Sequence, residues 1–166
     1  MAVTTMSSEI TQYVTMGVAR EIFAVPVALV REILDLREIS RLPQAPEYVL
    51  GLIDVRGQAV PVLDFRLKLG LPRIEATATS RIVVLEISEE DRMIALGLLV
   101  DRVFEVSGLD GGALEPPPSV GSKWRSDSIA GIGRRGEAFV VVLEVSRFLS
   151  RDDSALIDEC SPKIAA

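Results

Sequence analysis

The stretch that decides the fold is Gly51-Leu52-Ile53-Asp54-Val55-Arg56-Gly57-Gln58-Ala59-Val60-Pro61-Val62-Leu63-Asp64-Phe65. One apolar run ends at Asp54, a charged corner follows at Arg56-Gly57, and a second apolar run closes at Asp64. This pattern predicts a β-hairpin, with Gly57 supplying the backbone angles of the turn. A guanidinium at such a corner sits on rigid strands and points away from the core. The ordinary reading of a turn arginine is a solvated side chain. The reading of interest is a contact to a partner.

Further along, Gly131-Ile132-Gly133-Arg134-Arg135-Gly136-Glu137-Ala138-Phe139-Val140-Val141-Val142-Leu143-Glu144-Val145 repeats the plan, with its Arg-Gly corner one residue earlier. Phe23-Ala24-Val25-Pro26-Val27 likewise resembles Ile94-Ala95-Leu96-Gly97-Leu98. Each is followed by a mixed apolar and charged segment, Val30-Arg31-Glu32-Ile33 and Val100-Asp101-Arg102-Val103. Two blocks in one order suggest two copies of a small β-unit.

Working outward, strands are expected over Tyr13–Val18, Glu21–Val27, Arg81–Ile87, Met93–Val100 and Arg102–Val106, besides the two hairpins. Val27, Val30, Ile33 and Leu34 stand at helical spacing, which predicts a short helix or helical turn. Pro46 suits the start of a second, over Glu47–Leu50, stopped by Gly51. The Thr/Ala-rich residues 72–80 read as a linker between halves, and 107–127 as a loop with Trp124 at its far end, more a lid on the core than an anchor. Ser150 or Asp152 would cap a terminal helical segment at Ala155–Ile157. About ten short strands with little helix predict an all-β barrel or sandwich, and with the duplication two small barrel lobes packed side by side. The domain is expected over 10–158, with lobes at roughly 10–71 and 81–150, strand exchange allowed. Residues 1–9 and 159–166 are expected to be loose tails.

The 166 residues are 48% hydrophobic and carry a net charge of -6, with a pI near 4.8. That balance argues against nucleic acid, whose phosphates need cations, and against insertion into or binding to anionic membranes. Cys160 is alone, so no disulfide framework is expected. The first nine residues lack a cationic start and an apolar core, so no secretory signal is expected and the cytosol is the expected home. With no histidine, the commonest general base, most zinc sites and every Ser-His-Asp or Cys-His arrangement are excluded. Asp54 and Asp64 are the remaining pair of carboxylates able to serve an enzyme, although solvated strand ends are the commoner case. The residues therefore predict a binding module without catalytic, cofactor or metal residues. Val30, Val103 and Val106 are candidates for apolar surface between the lobes, where a partner helix would lie.

The chain resembles the CheW family of bacterial chemotaxis coupling proteins over about residues 12–158. The matching stretches are Phe23–Val27, Val30–Ile33, Leu42-Pro43-Gln44-Ala45-Pro46-Glu47-Tyr48-Val49-Leu50-Gly51, Arg56–Phe65, Leu96–Val103 and Val140–Leu149. The resemblance implies two five-stranded SH3-like barrels packed through an apolar core, and a non-enzymatic adaptor. Its partners would be the regulatory domain of a CheA-type histidine kinase and the cytoplasmic tip of a methyl-accepting chemoreceptor, at arrays on the inner membrane. It implies that Val30, Arg56, Gly57, Gly97, Val103 and Val106 lie near the receptor-binding groove, with the kinase docking on barrel ends. At 166 residues no receiver or kinase domain is expected beside it. Two departures stand out: Asp54 replaces a frequent Asn and would be free to pair with Arg56, a change of about 1 kcal/mol, and Glu144 replaces a common Asp. The alternatives are a CheW-like adaptor of a twitching or surface-sensing pathway and, more remotely, a two-barrel enzyme using Asp54 and Asp64.

Overall fold

A computed structural model of the chain describes residues 12–89, 92–109, 114–116 and 129–145. Trp124, Cys160 and the helical segment expected at 155–157 lie outside them. Ten strands follow in order: β1 (Tyr13–Val18), β2 (Glu21–Pro26), β3 (Val30–Asp35), β4 (Val49–Val55), β5 (Gln58–Asp64), β6 (Arg81–Glu89), β7 (Arg92–Val100), β8 (Arg102–Ser107), β9 (Ile129–Arg135) and β10 (Ala138–Leu143). Among the described residues a 3-10 turn at Val27–Leu29 and one helical turn, α1 (Phe65–Lys68), accompany them. The chain is all-β, in two five-stranded sheets ordered β8-β1-β2-β10-β9 and β3-β6-β7-β5-β4.

The two sheets share one plan. The antiparallel pairs β1/β2, β1/β8 and β9/β10 answer β6/β7, β6/β3 and β4/β5, and parallel β2/β10 answers parallel β7/β5. The duplication expected from sequence is thus present in the topology. Its copies, β1–β5 and β6–β10, are exchanged, each giving a hairpin to one sheet and three strands to the other. The 72–80 linker separates the copies in sequence but not the lobes in space. Each lobe therefore mixes strands from the stretches 10–71 and 81–150.

The barrels are not closed by strand ladders among the described residues. Each sheet is drawn round by one bridge from the chain beyond its edge strand. Ser40, after β3, exchanges backbone hydrogen bonds of 2.8 and 2.7 Å with Leu52 of β4, and Glu115, after β8, exchanges two of 2.8 Å with Ile132 of β9. At the first bridge the Ser40 carbonyl comes so close to Gly51 (φ +145°) that an added Cβ would lie 2.0 Å from it. Gly51 thus serves close approach within β4, not the end of a helix. The helix expected at Glu47–Leu50 is a turn, Val49 N–H to Pro46 O at 2.9 Å, leading straight into β4.

The helical spacing at Val27–Leu34 is overridden beyond Leu29. From Val30 the chain pairs with β6, and exposure alternates along β3 at period two. Backbone groups at this edge find partners on β6, and β-branched residues suit the pleat. The helix that does form, α1, starts at Asp64, whose buried carboxylate accepts the Leu67 N–H at 3.3 Å.

Three apolar cores result among the described residues. One fills the inside of each lobe, around Val62, Ile82 and Val84 in one and Val140, Val142 and Leu109 in the other. The largest lies between the sheets and contains Met16, Phe23, Val25, Phe65, Leu85, Leu96 and Leu98. Phe23 and Phe65, one from each lobe, meet with ring centroids 4.9 Å apart. A strand with one face in a lobe and the other between lobes is apolar where both faces are covered, as Ile82–Leu85 and Ile94–Val100 are. Each valine or leucine fully buried there contributes about 1.5–3 kcal/mol.

Candidate partner-binding seam

The apolar seam is set by the strand exchange. Among the described residues the chain passes between sheets twice, from β2 to β3 and from β7 to β8. Val30 opens β3 after the first crossing, and Val103 stands near the start of β8 after the second. Both are half-buried against the inter-lobe core. Val106 follows on β8, opposite the core residue Val14, and is 52% exposed. Val30 and Val103 therefore belong to the rim of one inter-lobe core, and Val106 lies exposed beyond it on the same strand as Val103.

At the β4–β5 corner, Val55 pairs with Gln58, leaving Arg56-Gly57 as a two-residue loop with φ of +53° and +84°. Positive φ at both central residues is what a type I′ turn requires, so Arg56 shares the strain that the sequence assigned to Gly57. The Asp54 carboxylate accepts the Gly57 N–H at 2.8 Å and closes the turn. It does not take up Arg56. The guanidinium instead lies 3.7 Å from Glu32 of β3, its side chain 78% exposed. Through Glu32 the corner is tied to the strand that carries Val30. Neighbouring pairs, Arg31 with Glu86 at 3.7 Å and Arg81 with Asp35 at 3.3 Å, line the same edge strand with charge.

The other lobe repeats this corner with a different turn. Ala24 and Gly97 occupy equivalent positions, and register leads from them to Thr15 and Val84, then to Glu105 and Glu32. Glu105 is ion-paired with Arg135, as Glu32 is with Arg56. Arg135, however, is the last residue of β9, and the loop is Gly136-Glu137. The two Arg-Gly corners match in sequence but place their arginines one backbone position apart.

Gly97 is not on the surface. It is buried in β7 between β5 and β6, and a Cβ there would come within 2.8 Å of Ile82 Cγ2. Asp54 and Asp64 are not brought together either: one caps a turn and the other caps α1, at opposite ends of the β4–β5 hairpin. Both oxygens' roles are structural, so the paired-carboxylate arrangement is overturned. Among the described residues no group of three or more acidic or cysteine side chains is gathered as a metal ion requires, and no helix is long and apolar enough to cross a membrane.

A node that the sequence reading passed over lies at the second crossing. Arg66 of α1 grips Asp101 through Nε at 2.9 Å and Nη2 at 2.7 Å, and Ala19 N–H donates to the same carboxylate at 2.8 Å. Burial pushes the Asp101 carboxyl up; the bonds from Arg66 and Ala19, with the Arg66 and Arg102 charges, outweigh it and hold it below the usual carboxylate range. The bond to Asp101 raises the guanidinium in turn. In sequence Asp101 is an acidic residue that ends an apolar run, a pattern it shares with Asp54. Exposed Phe104 and Phe139 were also missed. Arg102 and Arg135 each stand 5.9 Å from the first ring, and Arg134 stands 4.8 Å from the second.

Seam and fold together define a duplicated, strand-exchanged all-β domain whose covered-to-exposed apolar rim suits protein partners. The chain belongs to the CheW-like family: the CheW-like domain matches residues 12–153. It is 27% identical over 146 residues to the chemotaxis protein CheW of Helicobacter pylori, covering 88% of this chain and 86% of that one. To the CheW of Rhizobium meliloti it is 32% identical over 110 residues, 66% of this chain and 68% of the other. Among solved structures it is similar to the scaffolding protein TtCheW of Thermoanaerobacter tengcongensis, with a TM-score of 0.75 and 26% identity over 86% of this chain and 94% of that chain.

Proposed function

We propose that this protein is a non-enzymatic adaptor that couples the cytoplasmic tips of chemoreceptors to a CheA-type histidine kinase, in the cytoplasm at receptor arrays of the inner membrane. The observation that carries this reading is the CheW-like match across nearly the whole chain, residues 12–153, supported by the similarity to a scaffolding protein. A receptor helix would lie along the seam, its apolar face on Val30, Val103 and Val106 and its polar flank beside Arg56 and Gly57. Gly97 would act from within, by letting β5, β6 and β7 pack closely under the seam. The kinase regulatory domain would take a separate surface, so that a shift at one contact biases the other. Each contact is modest, and many of them in an array give the coupling its strength.

Titration of the purified protein with the regulatory domain of the CheA-like kinase of its own organism tests the reading, with a receptor-tip fragment as the second ligand. Saturable binding near one to one is expected for the kinase domain. Arg56→Glu is expected to weaken the receptor tip by about five- to tenfold. It should leave the melting temperature little changed, because an exposed pair such as Arg56–Glu32 is worth about 1 kcal/mol at most. No binding to any such kinase, or a loss of stability in Arg56→Glu as large as a core substitution causes, refutes it.

A further inference from the structure

Asp101 is the whole connection between β7 in one lobe and β8 in the other. Its backbone N–H donates to Gly17 O at 3.1 Å, and its carbonyl accepts from Thr79 Oγ1 at 2.9 Å. Its carboxylate takes the Arg66 fork and the Ala19 N–H. One residue thus joins α1 and the linker of one lobe to strand β1 and the β1–β2 turn of the other. Ala19 has φ +57°, an angle that alanine holds only where its surroundings over-determine it, and here the carboxylate supplies the constraint. At the other crossing, Val27 N–H bonds to Gln12 O at 2.9 Å and Leu29 and Val30 pack on the inter-lobe core.

Apolar burial has no direction, so the inter-lobe core alone tolerates one sheet turning slightly over the other. A bidentate guanidinium–carboxylate contact does not, because both its bonds fail when the planes rotate. The Arg66 and Asp101 side chains are each 15% exposed, so water competes poorly with the pair for these hydrogen bonds. We propose that Arg66 and Asp101 are positioning residues for partner binding: the pair locks the second crossing, fixes the angle between the lobes, and so sets β8, with Val103 and Val106, relative to Val30 of β3 across the inter-lobe core on which Val30 and Val103 both pack. The partner in this statement rests on the coupling role above.

The test measures the lobe angle and the affinity separately. Spin labels on Met93→Cys of β7 and Glu137→Cys of the β9–β10 turn, both exposed, report the distance between lobes in a Cys160→Ser background. Asp101→Asn keeps the shape and loses the charge, and Arg66→Lys keeps the charge and loses the fork. Both are expected to broaden the distance distribution while melting cooperatively, and to weaken receptor-tip binding by about five- to tenfold. Val142→Ala, a cavity inside one lobe, is expected to lower the melting temperature without broadening the distribution. A distribution left unchanged by both variants, or broadened with affinity unchanged, overturns the proposal. A wild-type protein that binds no receptor tip refutes the coupling role instead, and the distances still decide whether the pair locks the lobes.

Discussion

Three aspartates of this chain serve the backbone. Asp54 closes a turn, Asp64 caps a helix, and Asp101 holds the Ala19 turn together with Arg66. Arg66 and Arg102 face Asp101 as cations, and its folded pKa lies below the ordinary 3.8. The carboxylate therefore adds its full share of stability above that value, and the share is lost as pH falls through the lower folded value. Asp101→Asn is expected to cost about 1–3 kcal/mol at neutral pH, as a lost charge-assisted hydrogen bond does. The gap between the two proteins should narrow between about pH 5 and pH 3. Urea unfolding of both across that range checks it, and a gap independent of pH refutes the assignment. Nothing local in the sequence distinguished Asp101 from Asp54, because Arg66 lies 35 residues away.

At the scale of elements, the hairpins were readable and the short helices were not. Strand β1 spans the residues expected of it, and Arg56-Gly57 is a two-residue turn as its composition implies. Val27–Leu34 carried a helical spacing that holds as a 3-10 turn over Val27–Leu29 and that pairing with β6 overrode from Val30 on, since four apolar residues cannot outweigh a ladder of backbone bonds. Helix α1 went unread because one turn has no period to detect. Gly97 shows the same limit. As a residue of an exposed groove it would tolerate a side chain, but in β7 it meets Ile82. Gly97→Val is expected to lower stability by about 1–3 kcal/mol through overpacking. Thermal melting checks this, and receptor binding lost with an unchanged melt would return Gly97 to the contact surface.

For the whole molecule, the exchange of strands decides how the chain folds. Residues 1–75 contain β1–β5 and α1, and residues 76–166 contain β6–β10, yet neither piece holds a complete sheet. Each piece is expected to lack a cooperative melt alone, and mixing them is expected to restore native circular dichroism. Cooperative folding of either piece by itself refutes the exchange. Strand positions, the duplicated plan, the absence of histidine chemistry and the family resemblance were all legible in the chain, because period-two alternation, turn residues and composition are local properties. The parallel joins of β2 to β10 and β5 to β7, the Arg66–Asp101 contact and the burial of Gly97 were decided only in three dimensions. Strands buried on both faces read as continuous apolar runs, and such a run does not say which partner covers which face.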